Sequence, residues 1–121
     1  MFHKKLADAP AYEAPNHRGV RSVRLQGFEA AAGPRNQWVR HSTFEPGGGA
    51  GPDSTPFEKV YVVLSGEMTV MTGGAEVVLG AFDSCTIAPN EVREIVNRGP
   101  TSCTMIVVIP YPPGFKHAGD A

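Results

Sequence analysis

The feature that most constrains the fold is the distribution of glycine and proline, which divides the chain into short apolar runs. The 121 residues include 14 glycines and 11 prolines, and most of these lie between segments rich in β-branched and aromatic residues. This arrangement is typical of tight turns between short strands. No segment has the i, i+3, i+4, i+7 apolar spacing of an amphipathic helix. The sequence therefore predicts an all-β sandwich or barrel with little or no helix.

The strand-like runs define a predicted barrel. They cover residues 20–25, 37–44, 59–64, 67–71, 75–79, 84–88, 92–96 and 102–109. Pro46 and the three glycines after it are expected to end the second run, and Gly73-Gly74 suits a hairpin that requires positive φ. The barrel is assigned to 37–110. Residues 1–36 precede the barrel as an arm that includes the first strand or strands. We expect this arm to pack on the barrel or on a partner subunit. Residues 111–121 follow the barrel as a tail.

Two of the predicted strands are apolar on both faces. In KVYVVL, Tyr61 and Val63 point to one face while Val60 and Val62 point to the other, and SCTMIVVI has the same character. A sheet with one face in water would alternate apolar and polar residues. Because no helix is predicted to cover the outer face, we expect the N-terminal arm or a second subunit to do so, and we predict a homodimer.

The charge pattern argues against several classes of partner. Lysine and arginine total 11 against 12 acidic residues, giving a formal net charge of -1, and no basic run indicates nucleic-acid binding. No apolar stretch approaches the roughly 20 residues that cross a bilayer. The N-terminal segment also lacks the apolar core of a secretory signal. We therefore expect no nucleic-acid or membrane partner, a cytoplasmic location, and free, buried thiols at Cys85 and Cys103.

Residues 46–97 resemble the cupin superfamily. The first cupin motif usually runs from a glycine-rich turn through His-x-His and Glu to Gly, and PGGGAGPDSTPFEKVYVVLSG has this frame. The second runs from Gly through Pro-x-Gly and His to Asn, and GAFDSCTIAPNEVREIVN begins at Gly80 and ends at Asn97. The resemblance implies a cupin-type jelly-roll β-barrel, that is, an antiparallel sandwich of two sheets.

The metal-binding positions of the cupin motifs hold other residues in this chain. Alignment of the motifs puts the family's glutamate at Lys59, its paired histidines at Asp53 and Thr55, and its last histidine at Arg93. A divalent metal needs imidazole, thiolate or carboxylate ligands at about 2.0–2.2 Å, and protonated lysine and arginine have no free lone pair. The iron, manganese or nickel chemistry of the family is therefore not carried over. We expect no metal and no other cofactor.

The same four residues are predicted to form a site for a small anion in the mouth of the barrel. Arg93 would bind a carboxylate through two hydrogen bonds. Lys59 would be a second anchor or a base of lowered pKa, with Asp53 as the other candidate catalytic group, and Thr55 would contact the ligand. The alternative is a salt-bridge cluster of Asp53, Lys59 and Arg93 that plugs the mouth. The surplus positive charge favours the anionic ligand.

Two further residues are candidate ligand contacts. Tyr61 lies on the same strand face as Lys59, and its hydroxyl would bind the ligand or be satisfied locally in the core. His41 is the only histidine in a strand-like run, and it is interpreted either as an acid–base group inside the barrel or as an ordinary structural histidine. The other histidines are interpreted as surface residues: His3, His17 and His117.

Three hypotheses for the function follow. The first is a metal-independent cupin that catalyses a proton-transfer reaction, of the isomerase or lyase type, on a small carboxylate-bearing metabolite. The second is a non-catalytic cupin that binds or senses such a ligand, and the third is an inert barrel. The sequence does not decide between the first two, because catalysis needs a base of shifted pKa within reach of the ligand, whereas binding needs only fixed donors.

Overall fold

The structure, a computed structural model, describes residues 1–117, and in this range it is almost entirely β. A single 3₁₀ turn, Leu6–Asp8, precedes the strands. The strands are β1 (Ala11–Tyr12), β2 (His17–Gln26), β3 (Gln37–Asp53), β4 (Lys59–Ser65), β5 (Met68–Thr72), β6 (Ala75–Leu79), β7 (Ser84–Ile87), β8 (Arg93–Val96) and β9 (Cys103–Pro110). The prediction of an all-β fold is confirmed.

The strands form the predicted jelly-roll sandwich, and every strand pair is antiparallel. The order across the sheet is β6-β5-β8-β3-β9-β4-β7, with β2 added to β3 and β1 added to β2. The first half of β3 pairs with β9 and the second half pairs with β8. Since β3 takes part in both halves of the sandwich, it connects the two walls of the barrel.

The glycine run after Pro46 does not end its strand, so this part of the strand prediction is wrong. β3 continues through the glycines to Asp53. A Cβ on Gly49 would lie 2.2 Å from the carbonyl oxygen of Ile95 on β8, and a Cβ on Gly51 would lie 2.5 Å from that of Arg93. The glycines therefore let β3 approach β8 closely enough to pair with it.

The core lies between the two walls, and strand alternation selects the residues that enter it. Alternate residues of β4 and β9 are buried, and Tyr61, Val63 and Met105 are at most 1% exposed. The intervening residues of both strands, such as Val62 and Ile106, are only half-buried. Both strands thus have an inner face in the core and an apolar outer face that the chain does not fully cover.

The motif asparagine, Asn97, stabilises the loop after β8. It is 0% exposed, and its side-chain amide donates to the carbonyl oxygens of Phe44, at 3.1 Å, and Thr101, at 2.9 Å. Its Oδ1 accepts the backbone N–H of Gly99 at 2.9 Å. A buried amide with these three bonds has a structural role in holding β3 against the end of β8.

The two termini pack at the same end of the barrel. Tyr12 of β1 and Phe28 contact the ring of Trp38, with centroids 5.2 and 5.3 Å apart. In the tail, Tyr111 stacks on Phe115 at 4.7 Å. The predicted tail spans 111–121, and its last four residues lie outside the described residues.

The cysteines and the absence of a membrane-spanning helix in residues 1–117 can be compared with the expectations from the sequence. Both cysteines are free, with Cys103 buried and Cys85 half-buried. Across the described residues there is no helix of the length and apolar character needed to cross a membrane.

Candidate functional site

A cavity of about 250 Å³ lies at the end of the barrel that the termini cover. It is small compared with the ~300–1,000 Å³ of typical small-molecule sites. Its wall combines strand ends with residues of the N-terminal arm. The polar and charged lining side chains are Tyr12, His17, Arg24, Arg40, Asp53, Thr55, Lys59 and Arg93, and the apolar ones include Phe28, Trp38, Phe57 and Ile109.

The four residues at the motif positions all line this cavity. Arg93 begins β8 and is 4% exposed, and Lys59 begins β4 and is 7% exposed. Asp53 ends β3 directly opposite Arg93, and its Oδ1 accepts the backbone N–H of Ser54 at 2.8 Å. Within residues 1–117 no ion pair shorter than 4.0 Å joins Asp53 to Lys59 or Arg93. The alternative of a salt-bridge plug is therefore not formed.

Tyr61 positions Arg93 instead of lining the cavity. The Arg93 Nε donates a buried hydrogen bond to the Tyr61 hydroxyl oxygen at 2.8 Å, and Tyr61 is 1% exposed. This contact fixes the guanidinium, since an arginine fork has a rigid planar geometry. The Arg93 Nη1 is also buried, but it has no hydrogen-bond partner. One donor of the fork is thus anchored while another remains free.

Two arginines that the sequence analysis did not single out also line the cavity. Arg40 lies on the inner face of β3 and is 6% exposed, and Arg24 of β2 is its cross-strand partner. The Nε atoms of both are buried without a hydrogen-bond partner. These two residues raise the number of cationic side chains around the cavity well above what the motifs indicated.

His17 lines the cavity, so its interpretation as a surface residue is wrong. It begins β2, and its Nδ1 lies 2.8 Å from the carbonyl oxygen of Pro15. A carbonyl only accepts, so Nδ1 carries the proton and Nε2 has a free lone pair. Burial lowers the pKa of His17 to about 4, and nearby Arg40 and other cations act in the same direction. At neutral pH its Nε2 is a buried acceptor with no partner.

His41, a candidate ligand contact from the sequence, is not brought together with the other site residues. It follows Arg40 on β3 and therefore points to the opposite face of the sheet. Its neighbours across the strands are Val23 and Ile106. It lies among the outward-facing residues and is not among the side chains that line the cavity.

The cavity has a strong surplus of positive charge. Arg24, Arg40, Lys59 and Arg93 line it, and Asp53 is its single carboxylate within the described part of the chain. Burial, together with the charges of Arg93 and Arg40, lowers the pKa of Lys59 to about 8, against the opposing effect of Asp53. Buried cations without counter-charges are costly, so the arrangement is suited to an anionic group.

The residues at the motif positions do not fit a divalent metal. Lys59 and Arg93 replace two of the expected ligands, and Arg40 adds a third cation nearby. None of these side chains offers a lone pair while protonated. In residues 1–117 no group of three or more His, Cys, Asp or Glu side chains is placed to hold a metal ion. Most of the charged side chains here are hydrogen-bond donors and not metal ligands.

Comparison with known proteins agrees with this architecture. The chain is 44% identical over 108 residues to "Beta-D-galactosidase Rv1717" of Mycobacterium tuberculosis, which covers 89% of this chain and 92% of the relative. The polyketide cyclase RemF from Streptomyces resistomycificus superposes with a TM-score of 0.79 at 19% identity, covering 100% of this chain and 87% of that one. An RmlC-like cupin from Shewanella frigidimarina superposes with a TM-score of 0.74 at 19% identity, covering 94% of each chain.

The sequence profile of the cupin domain family, Cupin_2, matches residues 40–109, which include Arg40, the altered motif positions and the strands that carry them. The family match, the near full-length relative and the jelly-roll sandwich agree with one another, and the chain belongs to the cupin domain family.

Proposed function

We propose that this cupin binds a small, carboxylate-bearing metabolite in the cavity at the covered end of the barrel. The observation that carries the proposal is the convergence of four cationic side chains on a cavity with one carboxylate, Asp53. Buried charges in proteins are normally paired, because an unpaired one is expensive. An anionic ligand would supply the missing counter-charge.

Arg93 and Lys59 are the proposed anchors for the carboxylate. The bond from Arg93 Nε to Tyr61 leaves Nη1 buried and unpartnered beside the cavity. A carboxylate oxygen accepting from Nη1 would satisfy that donor, and the Lys59 ammonium would add a second charge-assisted bond. Thr55, at the cavity wall, has a hydroxyl that can donate to the ligand.

The same groups support proton-transfer chemistry of the isomerase or lyase type. Because burial lowers the pKa of Lys59 to about 8, part of the population has a neutral amine at physiological pH, and a base is most effective when its pKa is near the working pH. In this alternative role Arg93 alone would hold the carboxylate, and the neutral Lys59 amine would take a proton from the carbon next to it. The resulting ammonium would return that proton to a different atom in an isomerisation or to the leaving group in an elimination.

A thermal-shift screen of small organic acids tests the binding proposal. Acids that bind are expected to raise the Tm of the wild type. Arg93→Ala should lower their affinity by about 2–5 kcal/mol, because a desolvated charged contact is lost. Arg98→Ala is the control, since Arg98 is exposed and pairs with Glu76 outside the cavity, and it should behave as the wild type.

The outcomes of this screen separate the three hypotheses. If no acid stabilises the wild type, or if Arg93→Ala responds as strongly as the wild type, the cavity is not an anion site and the inert barrel remains. If acids bind but Lys59→Met leaves every tested proton exchange at the substrate carbon unchanged, the protein is a non-catalytic binder.

Glycoside hydrolysis is a second candidate function, favoured by the 44% identity to a relative named as a β-D-galactosidase. Most glycosidases use two carboxyl groups, one as acid and one as base or nucleophile. Asp53 is the single carboxylate lining the cavity in residues 1–117, so the usual pair is absent there. Release of nitrophenol from a nitrophenyl β-D-galactoside, lost in Asp53→Asn, would support hydrolysis. No release above that of buffer would exclude it for this substrate.

A further inference from the structure

The pair formed by Arg24 and Arg40 is the least expected arrangement in the barrel. The two arginines are direct cross-strand neighbours on β2 and β3, and both face the cavity. Like charges directly opposite each other destabilise an antiparallel sheet. No carboxylate of the described residues lines the cavity beside them other than Asp53, whose backbone neighbour across the strands is Arg93.

The Nε donors of this arginine pair are buried without a hydrogen-bond partner. Arg40 is 6% exposed, so its guanidinium is removed from water. The Nε atoms of Arg40 and Arg24 have no hydrogen-bond partner. A buried donor that is left unpaired costs free energy, and two such donors on adjacent side chains require a common explanation.

Aromatic rings and a side-chain hydrogen bond between Tyr12 and Arg40 hold the pair in place without satisfying its Nε donors. The Arg24 guanidinium carbon lies 4.3 Å from the ring centroid of Phe28 and 4.8 Å from that of Tyr12, and the Arg40 carbon lies 5.6 Å from the Tyr12 centroid. Cation–π contacts offset part of the charge. They provide no lone pair for the Nε–H groups, so the need for an acceptor remains.

The arginine pair lies two strands away from the tyrosine that holds the proposed carboxylate anchor. Arg40 on β3 is opposite Val107 on β9, and Val107 is opposite Tyr61 on β4, which holds Arg93. Adjacent strands lie about 4.8 Å apart, so the backbones at Arg40 and Tyr61 are about 9.6 Å apart across the same cavity wall. The Arg93 charge nevertheless acts on the pKa of Arg40, so the arginine pair and the carboxylate anchor are adjacent regions of one cavity.

We infer that the cavity has a second anion subsite, formed by Arg24 and Arg40, and that its ligand is a small dicarboxylate. This inference rests on the proposed function, because it places one carboxylate at Arg93 and Lys59 and the other at the arginine pair. The rings of Phe28 and Trp38 line the cavity and would contact the carbon chain of the ligand. Each carboxylate would satisfy unpartnered donors on its own wall.

Calorimetric titration with succinate and butyrate tests the subsite, because the two acids have the same number of carbons and differ in the second carboxylate. The wild type is expected to prefer succinate by about thirtyfold or more, the effect of a desolvated charge contact. Arg40→Met should reduce this preference to less than about threefold, because succinate loses more affinity than butyrate does. Arg40→Lys, which keeps the charge, should restore part of the preference.

Arg21→Met is the matched control, since Arg21 is an exposed arginine on the same strand as Arg24, and it should bind both acids as the wild type does. If neither acid binds the wild type, the proposed function fails. If both bind with equal affinity and Arg40→Met leaves both affinities unchanged, the second subsite is refuted while the anion site stands. Should Arg40→Met not fold, Arg24→Met is titrated in its place, with the same expectation.

Discussion

At the scale of single residues, Lys59 is a cavity-lining cation whose lowered pKa brings its charge change close to neutral pH. It is buried at the start of β4, and burial together with the neighbouring arginines lowers its pKa to about 8. A bound carboxylate would favour the protonated form and therefore raise this pKa. Binding would then be accompanied by proton uptake between the two pKa values, which links affinity to pH.

We predict that the affinity for small carboxylates is constant below pH 8 and falls above it. The fall should approach about tenfold per pH unit until the pKa of the complex is reached, because one proton is taken up on binding. The measurement is the Kd of a stabilising acid by calorimetry from pH 6 to 10. Lys59→Met should give weaker and nearly pH-independent binding over this range. A wild-type affinity that rises above pH 8 would contradict the anchor role.

The sequence placed part of the site because the cupin motifs fix strand register. Asp53, Thr55, Lys59 and Arg93 line one cavity, as their motif positions predict. Arg40 was missed because it lies before the first motif. Its position in QWVRHSTF was nevertheless informative, since it has the same strand parity as the buried residues of that run, whereas His41 has the opposite parity.

His17 and Arg24 could not have been found in the same way. They reach the cavity because the N-terminal arm pairs with β3 over a long stretch with two register shifts. Those shifts arise where Gly19 and Leu25 interrupt the ladder, and no local pattern in the arm specifies them. The free Nε2 of His17 further depends on the carbonyl oxygen of Pro15, which is a tertiary detail of the turn.

At the scale of elements, the passage of β3 from one wall to the other depends on glycine. Gly47 and Gly51 both have positive φ, 85° and 87°. A Cβ on Gly51 would lie 2.8 Å from Nη1 of Arg93 as well as against its carbonyl oxygen, whereas a Cβ on Gly47 would meet nothing within 4 Å. The two positions therefore share backbone strain and differ in steric contact.

Replacing each of these glycines by alanine separates the two effects. Gly47→Ala is expected to lower the free energy of unfolding by about 1–2 kcal/mol, the cost of a left-handed backbone for an L-residue. Gly51→Ala should cost about 1–3 kcal/mol more, because the added methyl overlaps atoms of β8. It should also weaken acid binding by displacing Arg93. Urea denaturation measures the first effect and calorimetry the second. Equal stability of both variants would mean that the contact at Gly51 relaxes freely.

The strand boundaries could be predicted from the sequence where a tight turn joins two strands. They could not be predicted where a strand continues through a bend. The hairpin at Gly73-Gly74 joins β5 to β6 as expected, because a tight turn depends on adjacent residues only. The run at Gly48 and Gly49 looked like another turn, but it continues β3. Its conformation is determined by pairing with β8, about 45 residues later in the chain, which is long-range information.

At the scale of the whole molecule, the outer face of the barrel carries apolar residues that residues 1–117 cover only in part. Val60 lies beside Val108, and Val62 beside Ile106, on neighbouring strands, and all four are half-buried. β3 extends this surface with His41 next to Ile106. Contiguous apolar surface of this kind is uncommon on monomers. We propose that a second copy of the chain covers it, in agreement with the expectation from the two-faced strands.

The last prediction concerns this assembly. Analytical ultracentrifugation at micromolar concentration is expected to give twice the monomer mass, because two-fold pairing is the commonest way to cover such a face. Ile106→Glu would place a charge at its centre and should produce a monomer, while the cavity on the inner side of the sheet keeps its affinity for acids. Val78→Glu is the control, since Val78 is 53% exposed on β6, away from this face, and should remain a dimer. A monomeric wild type would contradict the proposal. If Val78→Glu dissociates the dimer and Ile106→Glu does not, the interface lies at β6 and not at the outer face of β4 and β9.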